Sequence, residues 1–244
     1  MQLPYKILLP GVPVTSRRGA LGWSSVVLFR AGNANILFDT GSYGDRKALL
    51  EGLGALGLGP GDVSCIFASH FHFDHILNAE IFPCPIFLSA PEKTYVDSRQ
   101  YLEAGDPFVP QHLMTYTADR IQTVVDGQEL WPGVKVLLLP GHTPGTAGLL
   151  LEHEGVVLAG DAVKNAWDFV RNEPPPAFFS SATAPANYAR IRSLADTVVP
   201  GHDLPFRIAP DGSVTPIGRQ EVVIDCCADP ARAPWPVALC AERS

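Results

Sequence analysis

The sequence predicts an α/β (α+β) domain in which helices cover β-sheet and polar loops collect at strand ends. Apolar runs of strand length occur in both halves of the chain, and segments with helical spacing follow them. Each β-rich stretch also ends in a polar loop, the usual place for a functional site on such a scaffold. One domain is predicted over residues 1–225, followed by a Pro- and Ala-rich tail over residues 226–244.

The first half begins with a predicted hairpin. Residues 24–42 contain two β-rich runs separated by AGNAN, a Gly/Asn turn cluster, and the second run ends in FDTG. Residues 45–58 carry leucines at helical spacing and stop at a Gly/Pro pair, which predicts a helix. The apolar run VSCIFAS then predicts a strand that leads directly to His70.

The middle of the chain is less regular. Residues 84–90 predict a buried strand, and residues 91–102 predict a helix entered through Pro91. Residues 103–120 contain prolines, aromatics and Met114 without clean periodicity, so we interpret them as a loop or lid.

The second half repeats the pattern of strands, polar loop and helix. Residues 134–162 contain three apolar runs, divided by PGHTPG and by the turn EHEG. Residues 184–196 predict a helix, and residues 197–203 predict a strand that ends in a loop.

Charge and composition narrow the classes of partner. The formal net charge is −7 and the pI is near 5.4, so no global positive field exists to gather a polyanion. Charge therefore gives nucleic-acid binding no support, and a small-molecule substrate is expected. Bound divalent cations would offset the negative balance locally, which keeps phosphate-bearing substrates among the candidates.

The cysteines and the N-terminus indicate a reducing compartment. The five cysteines form no C-x-x-C pair and are odd in number, so neither a disulfide framework nor a zinc ribbon is predicted. The N-terminal apolar run is broken by Pro10 and Pro13 and has no cleavage-site pattern. No apolar run approaches the ~20 residues of a membrane span. We expect a soluble, cytoplasmic protein that does not bind membranes.

Polar side chains follow four of the predicted strands. CIFAS precedes His70, VLLLPG precedes His142, VVLAG precedes Asp161 and TVVPG precedes His202. A rigid sheet can bring four strand ends to one point, so these side chains are candidates for a common site.

The stretch SHFHFDH, residues 69–75, holds three of the seven histidines and an aspartate. In an extended segment His70 and His72 point to the same side, because side chains alternate with a period of two. Asp74 and His75 follow and face a neighbouring point, which suits two metal ions better than one. The predicted ligands are His70, His72 and His142 for a first ion and Asp74, His75 and His202 for a second, with Asp161 as a bridge.

This mixed nitrogen and oxygen ligand set fits Zn²⁺ best and is also compatible with Mn²⁺, Fe or Co. The two remaining histidines, His112 and His153, are predicted to be solvated surface side chains. A lone DTG or GDA would be ordinary turn chemistry, and only the joint pattern favours a metal centre.

The joint pattern resembles the metallo-β-lactamase superfamily of metal-dependent hydrolases. The motifs that match are HFHFDH at 70–75, GHTPG around His142, GDA around Asp161 and PGHD around His202, and FDTG at 38–41 is similar to an early strand end of the family. The resemblance implies an αβ/βα four-layer sandwich with a dinuclear site at one edge, ligated as above. It also implies that Asp39 orients a ligand through a hydrogen bond. The aspartate and two histidines of the second site resemble the lactonase and glyoxalase II branches.

Two positions depart from the family pattern. A small residue usually lies two positions after the last histidine of the cluster, where this chain has Leu77 followed by Asn78, so a more crowded helix entrance is expected. N-acyl homoserine lactonases commonly carry a tyrosine three residues after the bridging aspartate, where this chain has Lys164. Lys164 would either bind a developing oxyanion, a carboxylate or a phosphate, or be a solvated lysine.

Two segments, SHFHFDHILNAEIFP and VVPGHDLPFRI, are also similar to metallo-β-lactamase-domain-containing protein 1. Some proteins of that group are RNA-processing nucleases, which implies a phosphodiesterase or ribonuclease as an alternative. The helical insertion with which such nucleases often grip a strand has no counterpart here. Dimers are common among these hydrolases, so a homodimer is expected.

The resulting hypothesis is a dinuclear hydrolase that uses a metal-bridging hydroxide on a small-molecule ester or lactone. Asp74 would orient the hydroxide and pass a proton to the leaving group. A metal-binding sensor without turnover is the third alternative. Candidate aromatic residues for the wall of an apolar pocket are Phe71, Phe73, Phe108, Trp167, Phe169, Phe178 and Phe179.

Overall fold

Two β-sheets packed face to face form the centre of the structure, a computed structural model that describes residues 5–17, 19–174 and 177–218. The strands are β1 (Tyr5–Leu9), β2 (Thr15–Ser16), β3 (Gly19–Ala20), β4 (Val26–Ala31), β5 (Ala34–Phe38), β6 (Cys65–Phe67), β7 (Ile86–Ser89), β8 (Ile121–Val124), β9 (Glu129–Trp131), β10 (Val134–Leu138), β11 (Ala147–Leu151), β12 (Val156–Gly160), β13 (Thr197–Pro200), β14 (Phe206–Ile208) and β15 (Val214–Pro216). The first sheet has the order β1-β4-β5-β6-β7-β8, the second has the order β15-β14-β13-β12-β11-β10-β9, and β2 pairs with β3.

Helices cover the outer face of each sheet. They are α1 (Arg46–Gly54), α2 (Phe73–Ile76), α3 (Ala90–Asp97), α4 (Gln100–Glu103), α5 (Gln111–Thr117), α6 (Ala166–Arg171) and α7 (Ala184–Leu194). Side chains of α1, α3, α4 and α5 share one apolar cluster with the first sheet, and side chains of α6 and α7 share another with the second. A third cluster fills the space between the sheets. The helix-sheet-sheet-helix order confirms the predicted αβ/βα sandwich.

Two parallel strand pairs bring together the polar residues that follow their strands. In the first sheet β5 pairs with β6 in parallel, and in the second β12 pairs with β13 in parallel. The carboxyl ends of parallel neighbours lie at the same sheet edge, so Asp39 lies beside His70 and Asp161 beside His202. The predicted hairpin is confirmed, because β4 and β5 pair in register from Val27–Phe38 to Ala31–Ala34 around a two-residue turn.

The middle of the chain differs from the sequence prediction in two places. The helix expected over residues 91–102 divides into α3 and α4, because Arg99 adopts a left-handed conformation with φ of 58° and interrupts the helical hydrogen bonds. The segment 103–120 is not a structureless loop, since it contains α5, whose Leu113 side chain is fully buried. The packing of Leu113 fixes a helix where the sequence shows no clean periodicity.

Two sequence predictions concern the chain ends and membrane contact. The domain boundary at residue 225 and the tail over residues 226–244 lie outside the described residues. Within the part of the chain that the structure describes, none of the helices has both the length and the apolar character needed to cross a bilayer.

Truncation of the inter-sheet core is expected to destabilise the fold strongly. Phe67 is fully buried and stacks on Phe38 with ring centroids 5.7 Å apart. We expect Phe67→Ala to lower the free energy of unfolding by about 3–5 kcal/mol, because the void between two sheets cannot close. Urea unfolding measures this loss. Leu50→Ala, at a side chain that is 37% exposed on α1, is the control and should change stability by no more than about 0.5 kcal/mol.

Candidate metal centre

The structure brings together all seven side chains that the sequence nominates as metal ligands. They reach one edge of the two-sheet sandwich from four strand ends and from α2, and none of the seven residues is more than 9% exposed. The residues are His70, His72, Asp74, His75, His142, Asp161 and His202. Polar groups with so little access to water need partners, which makes the region a candidate site.

The ligand atoms fall into three overlapping groups. Within each group the nitrogen or oxygen atoms lie within 4.8 Å of one another, which is close enough to share a cation. The groups are His70, His72 and His142; His70, His75 and Asp161; and Asp74, His75 and His202. The first and third groups are the two ligand sets predicted from the sequence.

Asp161 lies between these two sets. Its Oδ1 atom is 3.2 Å from His75 Nε2 and 3.2 Å from His202 Nε2, and its Oδ2 atom is 3.3 Å from His142 Nε2. One carboxylate oxygen thus faces each set, which is the position that a bridging ligand needs.

Two buried atoms of the cluster show that the donor set fits a cation. Among the described residues, His70 Nε2 and Asp161 Oδ1 have no hydrogen-bonding partner, although Asp161 Oδ1 has two histidine nitrogens nearby. His142 Nδ1 also has none, but it is the ring atom opposite the Nε2 that faces His72. Leaving such an atom buried and unpaired costs about 1–3 kcal/mol. Divalent cations would satisfy both atoms, because imidazole nitrogen and carboxylate oxygen are ordinary zinc ligands.

Asp39 makes the contact that the sequence predicted. Its Oδ2 atom lies 2.8 Å from His75 Nδ1, so the other ring nitrogen of His75 faces the cluster. Asp39 also accepts hydrogen bonds from the Ser69 backbone N–H at 2.7 Å and from the Ser69 hydroxyl at 2.8 Å. Its left-handed backbone, with φ of 59°, is unusual for a residue other than glycine and is held by these contacts.

The segment before β4 supports the second ligand set, and sequence analysis missed it. The Trp23 carbonyl oxygen lies 3.0 Å from His202 Nδ1, and the Ser24 hydroxyl donates to the Asp74 carbonyl. The Ser25 N–H donates to the Gly201 carbonyl at 2.7 Å. A Cβ at Gly201 would lie 2.1 Å from Asp161 Oδ1, so only glycine fits there. Backbone contacts of this kind leave no pattern in the side-chain sequence.

Glu92 accepts hydrogen bonds from both loops that carry the first ligand set, and the sequence analysis did not identify it. The fully buried carboxylate accepts hydrogen bonds from Phe71 N–H at 2.9 Å, from the Thr143 hydroxyl at 2.6 Å and from Gly145 N–H at 3.1 Å. A Cβ at Gly145 would lie 2.1 Å from Glu92 N, so this close approach requires glycine. In the sequence Glu92 resembles any acidic residue in a helix's first turn.

Asp106 is a further buried carboxylate beside the cluster. It lies 2.8 Å from His72 Nε2, and the Tyr95 hydroxyl donates to it at 3.0 Å. Burial would raise the pKa of Asp106, but the hydrogen bonds from His72 and its other donors hold that pKa below the usual value. Flanked by Gly105 and Pro107, Asp106 looks like a turn residue in the sequence.

Opposing pKa shifts distinguish the histidines of the cluster. Burial holds the pKa of His70 and of His142 well below the usual histidine value. Burial acts in the same direction on His75, but the carboxylates of Asp161, Asp74 and Asp39 outweigh it and hold the pKa of His75 well above that value. A cation binds the deprotonated ring nitrogen, so these pKa shifts favour cation binding at His70 and His142 and oppose it at His75.

Lys164 is at the site and is not simply a solvated lysine. Its ammonium group lies 3.2 Å from Asp161 Oδ2, and its side chain is 31% exposed. The Asp161 carboxylate holds the pKa of Lys164 above its usual value, so the side chain is cationic. The predicted surface positions of His112 and His153 are confirmed, since both are exposed.

Leu77 and Asn78, which differ from the family pattern, are both accommodated by contacts with the rest of the fold. Leu77 is buried in the apolar cluster around the first sheet. Asn78 donates hydrogen bonds to the carbonyls of Thr40 and Ser42 at 2.9 and 2.6 Å, which fixes the chain that follows Asp39.

The candidate aromatic wall is partly correct. Phe108 and Phe178 pack against the His72 ring with centroid distances of 5.7 and 5.6 Å, and Phe73 packs on Phe108 at 5.9 Å. Phe71 and Phe169 are fully buried core residues, so they cannot line a pocket. Trp167 and Phe179 are exposed, with 60% and 56% of their surface accessible.

Comparison with known proteins agrees with this geometry. The family model described as the metallo-beta-lactamase superfamily matches residues 21–83. Metallo-beta-lactamase domain-containing protein 1 of Homo sapiens is 31% identical over 209 residues, which cover 81% of this chain and 68% of the human protein. This chain belongs to the metallo-beta-lactamase superfamily. Superfamily members are metal-dependent hydrolases, so the predicted reaction class and metal dependence are confirmed at this level.

Further relatives agree with the superfamily fold. An N-acyl homoserine lactonase of Bacillus sp is 33% identical over 170 residues, which cover 66% of this chain and 64% of the lactonase. A Thermotoga maritima protein solved as a candidate metallo-beta-lactamase has a TM-score of 0.67 and 22% identity, covering 83% of this chain and 98% of that one. AidC, a dizinc quorum-quenching lactonase, has a TM-score of 0.65 and 20% identity, covering 81% and 80%. The two structures show the superfamily fold alone.

The opposing pKa shifts predict how stability of the metal-free protein depends on pH. The lowered pKa values of His70 and His142 make stability rise with pH up to the unfolded value of about 6.5. The raised pKa of His75 makes stability fall as pH rises above about 6.5. We expect chelator-treated protein to be most stable near pH ~6.5 in urea unfolding at a series of pH values.

Metal-loaded protein is the control for this pH series. Bound cations require neutral imidazoles, so the loaded protein should keep gaining stability between about pH 6.5 and pH 8. A metal-free profile that rises in parallel with the loaded one would contradict a protonated His75.

Proposed function

We propose that the protein is a dinuclear metal-dependent hydrolase whose substrate is a small-molecule ester or lactone. One observation carries the proposal: two sets of three buried ligand atoms lie side by side, with Asp161 between them. In this proposal His70, His72 and His142 hold one ion, and Asp74, His75 and His202 hold the other. Zn²⁺ is the ion that this mixed ligand set favours most.

Different residues of the chain would hold the ions and transfer the proton. Divalent ions held by the two ligand sets would supply a water of lowered pKa and polarisation of the attacked carbonyl. Asp74 Oδ2 lies 3.5 Å from His202 Nε2 and 3.9 Å from His75 Nε2, and Asp74 and His202 are the most exposed of the seven residues, at 8% and 9%. From there Asp74 orients the attacking water and passes its proton to the leaving oxygen.

The surroundings of the cluster favour a substrate with an apolar part and a polar or anionic part. Phe73, Phe108 and Phe178 form an aromatic wall beside His72, which suits an acyl group. Lys164 places a cation on the Asp161 side, where it can bind a carboxylate or a developing oxyanion. The lactonase of Bacillus sp supports this substrate class by its name and its 33% identity.

A phosphodiesterase is the second candidate. The same Lys164 ammonium group could bind a phosphate, and two adjacent ions suit in-line displacement at phosphorus. The 31% identical human relative does not decide between the candidates, because its name states no substrate. A metal-binding sensor without turnover is the third possibility, and the experiment below separates all three.

A metal and substrate panel tests the proposal. We expect about two metal ions per chain and fastest hydrolysis of a lactone or ester among lactones, thioesters and phosphodiesters. His72→Ala removes a ligand of the first ion and should lower kcat/KM by about 10³-fold, the equivalent of several kcal/mol. Metal content is measured by mass spectrometry and hydrolysis by product release.

His112→Ala is the matched control, since His112 is exposed, and it should leave both quantities unchanged. Preference for a phosphodiester would favour the second candidate, and bound metal without hydrolysis would favour the sensor. Full activity without metal would overturn the entire proposal.

The Lys164 side chain is expected to favour substrates that carry a negative charge. Lys164→Met should lower kcat/KM for an anionic ester by about 10- to 100-fold, because a charged hydrogen bond is worth about 1.5–3 kcal/mol. The same substitution should lower kcat/KM for a neutral lactone by a smaller factor. Lys135→Met, which removes a surface pair with Glu152, is the control. An equal loss for charged and neutral substrates at unchanged metal content would assign Lys164 to the oxyanion instead.

A further inference from the structure

We propose that Asp106 is the positioning residue of the first ion site: it fixes the His72 ring so that Nδ1 faces the cluster, and it fastens the 105–110 loop beside the site. This inference rests on the proposed dinuclear centre. It concerns a residue that the sequence motifs do not include.

Both carboxylate oxygens of Asp106 have hydrogen-bonding partners. Oδ2 lies 2.8 Å from His72 Nε2 and accepts the Tyr95 hydroxyl at 3.0 Å, and Oδ1 accepts the Phe108 N–H at 3.0 Å. The carboxylate side chain has no exposed surface, and His72 is only 3% exposed. A buried carboxylate with three donors around it can only accept, so the proton on the His72 ring is drawn to Nε2.

This choice of tautomer matters for metal binding. With its proton on Nε2, His72 presents the lone pair of Nδ1, and that atom lies 3.0 Å from His142 Nε2 inside the first ligand set. The opposite tautomer would direct a hydrogen atom into that set. A buried carboxylate behind a metal-binding histidine also raises the basicity of the ring, which strengthens its bond to a cation.

The same contacts explain what the 105–110 loop does. The Asp106 N–H donates to the Tyr101 carbonyl at 2.8 Å, and the Phe108 carbonyl accepts the Phe73 N–H at 2.9 Å. The loop that carries Asp106 therefore also places the Phe108 ring against His72. Movement of this loop away from the site would break the Asp106 contact with His72, so of the two sequence interpretations of residues 103–120, loop or lid, these contacts favour a fixed loop at residues 105–110.

Asp39 provides an internal comparison. It faces His75 Nδ1 at 2.8 Å, as Asp106 faces His72 Nε2, but His75 belongs to the second ligand set. Each carboxylate thus supports a different set from a different part of the chain. Substitution of one should weaken one ion and spare the other.

The test compares Asp106→Asn with Asp39→Asn. In Asp106→Asn the NH₂ group of the amide can face either the Phe108 N–H or His72 Nε2. The first arrangement places two donors against each other, and the second favours the His72 tautomer with its proton on Nδ1. Zinc titration of metal-free protein against a chromophoric chelator should show two ions in the parent. In Asp106→Asn the affinity for one ion should fall by about 10- to 100-fold.

Nitrogen NMR of the imidazole rings assigns the effect to a site. We expect Asp106→Asn to shift the His72 ring toward the tautomer with its proton on Nδ1 and to leave His75 unchanged. Asp39→Asn should perturb His75 and leave His72 unchanged, and asparagine tolerates the left-handed backbone at this position. Asp119→Asn, at an exposed residue, is the neutral control.

The outcomes distinguish a failure of the proposed dinuclear centre from a failure of the role of Asp106. A parent that binds no pair of ions would overturn the proposed function. A parent that binds two, with unchanged affinities and an unchanged His72 tautomer in Asp106→Asn, would overturn the role of Asp106 alone. If Asp106→Asn loses its far-UV circular dichroism, Tyr95→Phe repeats the test more gently by removing one hydrogen bond to Asp106; parent-like zinc affinity in that variant would count against the inference.

Discussion

Burial of a polar cluster where the strand ends of the two sheets meet is the constraint on which the rest of the structure depends. Five imidazoles and two carboxylates lie at this edge of the sandwich with at most 9% exposure. Each polar atom left there without a partner costs about 1–3 kcal/mol. The cluster persists because carboxylates face histidines inside it, as at Asp161, and because its remaining atoms point toward common centres where cations can bind.

Support from outside the cluster comes from separate parts of the chain. Asp106 holds His72, Asp39 holds His75, the Trp23 carbonyl holds His202 and the Ser69 hydroxyl lies 3.0 Å from His70 Nδ1. In each case the outer nitrogen of the ring is engaged, so the inner nitrogen is aimed before any ligand arrives. Such pre-organisation favours tight binding of a cation and keeps the reacting groups in fixed positions.

The sequence carried enough information to predict which residues the structure brings together in the cluster but not what supports them. The seven residues of the cluster could be found because a compact motif and three strand ends signal them locally, and the four-layer fold followed from the resemblance that the motif supports. Asp106 was missed because an aspartate between glycine and proline looks like an ordinary turn. The Trp23 carbonyl carries no side-chain signal at all. The division of α3 from α4 at Arg99 was missed because the backbone conformation of one residue interrupts an otherwise helical pattern.

In the proposed function, the residues for the reaction and the residues for substrate preference therefore come from different parts of this molecule. The ligands come from strand ends and α2, which the parallel pairing of β5 with β6 and of β12 with β13 holds in place. The groups that we propose contact the substrate, Lys164, Phe108 and Phe178, come from the loops around the cluster. A loop can change its side chains without disturbing the sheets, whereas a change at the strand ends would dismantle the cluster. Because Asp106 joins Phe108 to His72 through one short loop, the pocket wall beside the first ligand set is the part least free to vary independently of the metal centre.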